Sequence, residues 1–446
     1  MKIYDQEPVQ ARVVLTDAPF LKTRYSLTDG VYEISVGRGG NWDVLACKQA
    51  FGKAVKTVLE LECESCLFDL SPSAELEFPG ICAAVEGIFG GAYKQRFSLE
   101  HCWEPKIACY VSGVGGEMLA AAQELVRSIM ETRNLVNRPS NLLRPMQLAR
   151  ELAEAMRDLP VEAEVLDREA LVQKGLNGLL TVGDSSANPP AMLVLRYTGA
   201  PKSGLRLGFI GKGVTVDTGG YCLKSAASMA RIKGDMAGGA AAAMAVRALA
   251  ANRVPVNVTA VIPSCENRIS DGSMLPGDVI TMFSGKTVEI LNSDAEGRLI
   301  LADALAWAQE REGCTHLVDI ATLTGAIRNM LGHVATGVMS NDEDFYAALT
   351  CASDRSGERF WRMPTFPEYE ALIDSDYADV RNTSKDGCGA IAAGLFLRRF
   401  VEDRPWLHLD IAGTADNSGV LWQHHVPGAT GAAVSTLYFL AVEEEA

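Results

Sequence analysis

The chain has 446 residues, 48% apolar and 22% charged, with a formal net charge of -15. That is the composition of a globular protein with room for two or three domains, each able to bury a core without help from disulfides or metal. The excess of carboxylates opposes phosphate backbones and anionic lipid, which argues against nucleic acid and membranes as partners.

No apolar stretch follows a basic start, so no secretory leader is expected. Eleven cysteines, scattered from Cys47 to Cys388, do not form a disulfide framework, and a reducing cytoplasmic location is the expectation. Cys63 and Cys66 make a lone CxxC without a second pair at zinc spacing, so they are read as ordinary thiols. In chain order, Val31–Val36 and Lys106–Val111 read as strands and Trp42–Val58 as a helix, together a small N-terminal α/β domain over residues 1–134. Met118, Leu119, Ala122, Leu125, Val126, Ile129 and Met130 recur at three- and four-residue steps, which predicts a connecting helix at about 116–134 with one buried face. Asn137-Arg138-Pro139-Ser140-Asn141 breaks that pattern and opens a larger domain, 135–446.

There the text alternates: helix Pro145–Met156, strand Val161–Val165, helix Arg168–Lys174, strands Ala191–Tyr197 and Leu205–Gly211, helix Ala237–Asn252. Strands Val256–Val261 and Val279–Phe283, helix Arg298–Arg311 and strand His316–Ala321 follow. Such alternation predicts an α/β fold with a mixed, mostly parallel sheet covered by helices on both faces. The small-apolar run Met236–Val246 is too short to span a bilayer and reads as a closely packed buried helix. Val442–Ala446 reads as a solvated tail.

Several chemistries fail on inspection. Gly211-Lys212-Gly213 lacks the remaining P-loop positions. The six histidines, His101, His316, His333, His408, His424 and His425, form no HExxH, and there is no GxSxG. The His424-His425 pair reads as a surface or interface pair. Two segments instead concentrate charge within glycine-rich, apolar surroundings: Gly211–Lys224, continuing to Lys233-Gly234-Asp235-Met236, and Asn292-Ser293-Asp294-Ala295-Glu296-Gly297-Arg298-Leu299. Each is read as lying between a strand and a helix, where open α/β sheets place their sites. Asp294 and Glu296, two apart, share one face if the chain is extended. Any one of these Asp residues alone would be a turn or helix cap. If the loops converge, Asp217, Asp235, Asp294 and Glu296 bring four carboxylates together, and buried carboxylates must be paired or bind metal. Oxygen ligation without His or Cys suits Mg²⁺, Mn²⁺ or Zn²⁺. Residue types and spacing reach a candidate two-metal hydrolase. A phosphoesterase is disfavoured by the lack of His ligands, and a nucleic-acid-binding protein by the charge and the absence of a basic aromatic patch.

These segments resemble the leucine aminopeptidase (cytosol aminopeptidase) family over roughly residues 135–440. The resemblance continues through Glu266-Asn267, Pro276–Ile280, Ala321–Ala326 and Trp406–Asp410. Gly220-Tyr221, Phe360–Arg362 and Pro427–Gly431 look more like its bacterial peptidase B branch. The resemblance implies a metallo-aminopeptidase that hydrolyses the N-terminal residue from peptides with a free N-terminus. It implies two divalent ions, Mn²⁺ or Zn²⁺: Lys212, Asp217, Asp235 and Glu296 around one, Asp217, Asp294 and Glu296 around the other. Lys212 would then have to be a neutral amine. Lys224 would stabilise the oxyanion and Arg298 would hold bicarbonate as general base. Ile232 and the loop Thr322, Leu323, Thr324 and Gly325 would line the substrate side-chain pocket, with Cys222 read as core. A homohexamer is also implied.

Overall fold

The computed structural model describes residues 1–3, 8–94, 107–230, 232–417, 419 and 421–444. Two sheets organise it. The first has six strands in the order Lys2–Ile3, Ala108–Ser112, Ser65–Asp69, Ala11–Thr16, Val31–Gly37, Thr23–Thr28. All neighbours are parallel except the last pair. In Ala11–Thr16 the buried Ala11 and Val13 alternate with exposed Arg12 and Val14, as a one-sided sheet requires. Helices Val44–Glu60 and Glu77–Ala92 share the core beneath it. Asp43, not Trp42, starts the first helix, because its Oδ1 accepts the Ala46 N–H at 2.7 Å. Glu77–Ala92 is buried almost all round and so lacks the amphipathic stripe that would have announced it. The strand expected at Lys106–Val111 runs from Ala108 to Ser112; Lys106 itself lies outside the described residues.

The second sheet has nine strands. Eight follow the order Phe360–Arg362, Thr336–Ser340, Trp406–Asp410, His316–Ala321, Leu207–Gly211, Asn257–Asn267, Ala191–Thr198, Val161–Leu166. The four central strands, from Trp406–Asp410 to Asn257–Asn267, are parallel, while Thr336–Ser340 and Ala191–Thr198 run against them. The ninth, Gly213–Asp217, pairs with the far half of Asn257–Asn267, so the path of Leu207–Gly211 continues past a single break at Lys212. Its partner runs on to Asn267, beyond the expected end at Val261. The effect is a strand that overhangs the C-terminal edge of the sheet and carries Asp217 at its tip.

Helices cover both faces. Ala237–Ala251, with the C-terminal helix Val434–Glu444, packs on one, and Gly297–Glu310 with Gly389–Arg398 on the other. The connecting helix runs from Gly116 to Asn137. Of the residues expected as a solvated tail, Val442–Glu444 instead form the half-buried last turn of the helix Val434–Glu444, and Glu445 and Ala446 lie outside the described residues. Among the described residues no helix is long and apolar enough to cross a membrane.

Candidate active site

The parallel strands bring their C-terminal ends to one edge. Lys212 follows Leu207–Gly211, Asp217 ends the overhanging strand, and Thr322 to Gly325 follow His316–Ala321. Backbone bonds from Lys212 N–H to Ile320 O (3.0 Å) and from Gly239 N–H to Lys212 O (2.8 Å) fix the break at Lys212. Asp294 and Glu296 converge differently from the extended geometry expected. Asp294 lies in a turn, and Glu296 is the N-cap residue of Gly297–Glu310 with φ -74 and ψ -36. The glycine after it makes room: a Cβ on Gly297 would stand 2.6 Å from Lys212 Nζ.

Oxygen atoms of Asp217, Asp294 and Glu296 lie within 4.8 Å of one another. Lys212 Nζ stands 2.8 Å from Asp235 Oδ2 and 2.8 Å from Glu296 Oε1. Lys224 Nζ is 2.6 Å from Asp217 Oδ2 and also pairs with Asp294. Asp217 Oδ1 is held by Gly219 N–H and by Asn267 Nδ2, both at 2.9 Å. Thr322 Oγ1 donates to Asp235 Oδ1 at 2.7 Å. Neither oxygen of Glu296, nor Asp235 Oδ2, accepts an aligned hydrogen bond, although all are buried. Four carboxylates, two of them with buried oxygens that accept no aligned hydrogen bond, two amines and no sulfur or imidazole form a donor set that fits hard or borderline divalent cations.

Burial, followed by the neighbouring Asp217, pushes the Glu296 carboxyl up. Burial also raises Asp235 and Asp294. Burial pulls the Lys212 amine down, as its expected role requires, but Asp235, Glu296 and Asp217 outweigh it and hold Lys212 above the ordinary lysine value. Burial likewise opposes the charge of Lys224, and Asp217 and Glu296 again prevail. Arg298, 7% exposed, is drawn down to about 10 by burial. It donates through Nη1 to Asn382 O at 2.7 Å while its Nε has no partner.

A cavity of about 1170 Å³ opens over these groups, lined by Lys212, Asp217, Lys224, Asp235, Asp294 and Arg298, with Ile232 and Thr322 to Gly325 in its wall. Glu296, 1% exposed, is buried behind them. Every residue singled out in the sequence for this chemistry is thus gathered at one edge. Cys222 is not core: it is half-buried in the cavity lining and donates its N–H to Ser293 Oγ at 2.8 Å. Three supports were missed as such. Asn267 holds Asp217 and Ser293 O, and Asp410 holds the loop 323–324, yet both stood inside quoted motifs without a role. Asn382 receives the Leu291 and Asn292 N–H groups and binds Asn292 O, from a segment with no local signal.

In the His424-His425 pair, His424 is buried and His425 half-buried. A turn brings the rings to 4.2 Å, and His424 packs its backbone against Gly52 and Gly90 of the N-terminal helices.

Residues 130–438 match the cytosol aminopeptidase family, catalytic domain. The chain belongs to the cytosol aminopeptidase family. As a member it is a metal-dependent aminopeptidase, a hydrolase acting on peptides. It is 39% identical over 424 residues to a probable cytosol aminopeptidase of Solibacter usitatus, covering 93% of this chain and 86% of that one. With the probable cytosol aminopeptidase of Alkaliphilus oremlandii it shares 43% identity over 322 residues, 72% of this chain and 64% of the relative's length. Its structure is similar to the bottromycin maturation enzyme BotP in complex with Mn, with a TM-score of 0.89, 29% identity, and coverage of 97% of this chain and 98% of that one.

Proposed function

We propose that this member of the cytosol aminopeptidase family removes the N-terminal residue from peptides with a free N-terminus, using two divalent ions, Mn²⁺ or Zn²⁺. The observation that carries the reading is the convergence of Asp217, Asp235, Asp294 and Glu296 at the cavity, four carboxylates for which the protein supplies only the two amines Lys212 and Lys224 as cations in contact. Lys212, Asp217, Asp235 and Glu296 would hold one ion, and Asp217, Asp294 and Glu296 the other. When bound, the pair supplies an acidified water and an electrophile for the scissile carbonyl. Lys224 directs its ammonium at the carbonyl oxygen as that atom becomes anionic. Arg298, with its Nε unpartnered, holds a small anion, bicarbonate, beside the water as base. Ile232 and the loop Thr322 to Gly325 receive the side chain of the first residue.

The test is hydrolysis of Leu, Ala, Arg, Asp and Glu p-nitroanilides by purified protein, after chelation and again with Mn²⁺ or Zn²⁺ restored. Metal-dependent release from free amines, and none from N-acetylated substrates, is the expected result. Absence of release from folded protein with every metal overturns the reading. The same reading takes residues 1–134 as an N-terminal domain and 135–446 as the catalytic domain of a cytoplasmic homohexamer. Light scattering tests the assembly: a mass of about one subunit, 47.9 kDa, would exclude it.

A further inference from the structure

The strand Asn257–Asn267 ends beside Asp217, with Asn267 and Asp217 in register across the parallel pair. Asn267 is 1% exposed. Its Nδ2 donates to Asp217 Oδ1 at 2.9 Å and to Ser293 O at 3.0 Å. Both partners are acceptors, so the NH2 end of this amide faces them. Its backbone O accepts from Thr218 N–H at 3.0 Å and Thr218 Oγ1 at 2.9 Å. The strand end itself is pinned. Glu266, wholly buried, accepts from Arg268 Nε and Ser186 Oγ at 2.6 Å each, from Asn188 Nδ2 at 3.0 Å and from Arg144 Nη1 at 3.1 Å.

One nitrogen therefore spans the two segments that carry Asp217 and Asp294, because Ser293 is the residue before Asp294. Ser293 reinforces the span: its Oγ donates to Gly219 O at 2.7 Å and accepts the Cys222 N–H at 2.8 Å. Asp235 and Lys212 are held from another side. Thr322 Oγ1 donates to Asp235 Oδ1 at 2.7 Å, and the Lys212 backbone is bonded to Ile320 and Gly239. Those contacts do not pass through Asn267, so the two candidate ion positions differ in what supports them.

We propose that Asn267 is a positioning residue for one ion of the pair. Its amide sets the separation of Asp217 and Asp294, so its loss weakens the ion held by Asp217, Asp294 and Glu296. The ion held by Lys212, Asp217, Asp235 and Glu296 is spared, because Asp217 Oδ1 keeps the Gly219 N–H at 2.9 Å and the other ligands keep their own supports. The inference rests on the proposed reading of these groups as ligands of two ions.

The test is calorimetric titration of Mn²⁺ into the metal-free full chain. Wild type takes up two ions; fewer than two overturns the underlying reading, whatever Asn267 does. Each position is then measured alone, in Asp235→Ala for the ion near Asp294 and in Asp294→Ala for the ion near Asp235. Adding Asn267→Ser to Asp235→Ala raises the Mn²⁺ Kd about 10–100-fold, the usual cost of losing a group that orients a ligand, while adding it to Asp294→Ala changes Kd by less than about threefold. Asn267→Leu, which keeps a branched side chain without the donor, gives the same pattern. A merely structural Asn267 would lower the number of ions bound at unchanged Kd, or raise both Kd values alike. Either result, or two unchanged Kd values, overturns the proposal.

Discussion

Glu296 is 1% exposed, carries two oxygens without an aligned hydrogen bond, and stands beside Asp217. Its removal should empty the site yet leave the fold, because Lys212, 2.8 Å from Glu296 Oε1, keeps Asp235 as a partner at 2.8 Å. Glu296→Ala is expected to keep its circular dichroism and melting temperature but lose hydrolysis and stoichiometric Mn²⁺ binding by calorimetry. Retained hydrolysis would remove Glu296 from the chemistry. Lys224 is more exposed and holds Asp217 and Asp294 from the cavity side. Lys224→Met should lower kcat by roughly 10²–10³, the usual effect of losing one oxyanion donor, with both ions still bound by metal analysis. These residues were legible because they stand in two short runs of unusual composition. Their supports were not. Asn382 reaches Arg298 and Asn292 across about ninety residues of chain, and only the folded structure makes them neighbours.

Among the elements, the helix Ala237–Ala251 shows how composition becomes geometry. Its small residues let it rest on the sheet at backbone distance, and a Cβ on Gly238 would stand 1.9 Å from Ile320 O. Ile320 O also receives the Lys212 N–H, so the helix presses on the bond that shapes the strand break. Gly238→Ala should cost about 1–3 kcal/mol or more, as overpacking does, and lower activity with it. A thermal unfolding midpoint equal to wild type would show that the helix shifts freely. The alternating strands and helices of this half were readable because each is a short apolar run closed by turn residues. The helices Glu77–Ala92 and Gly389–Arg398 were not, because both are buried on nearly every side and carry no period to read.

Over the whole molecule, the seam where His424 packs on the N-terminal helices at Gly52 and Gly90 encloses a titratable group. Burial holds His424 far below the ordinary histidine value, and His425, Lys48, Arg133 and Lys56 add to it. Its imidazole is neutral in the folded chain and takes up a proton on unfolding, so this contribution is present above about pH 6.5 and is lost as pH falls below it. Denaturant unfolding at pH 7.5 and 5.5 should show wild type losing more stability than His424→Gln, by up to about 1.4 kcal/mol per pH unit; equal losses would place the acid sensitivity elsewhere. Sequence made the mixed α/β class readable. It did not reveal strand order, which depends on pairings far apart along the chain. That order has a consequence for synthesis. Trp406–Asp410 sits between His316–Ala321 and Thr336–Ser340, both of which leave the ribosome first. At roughly 5–20 residues per second, two apolar strand edges wait several seconds for the strand that joins them. Over that interval each edge presents unpaired backbone N–H and C=O groups, a template for pairing with another nascent chain.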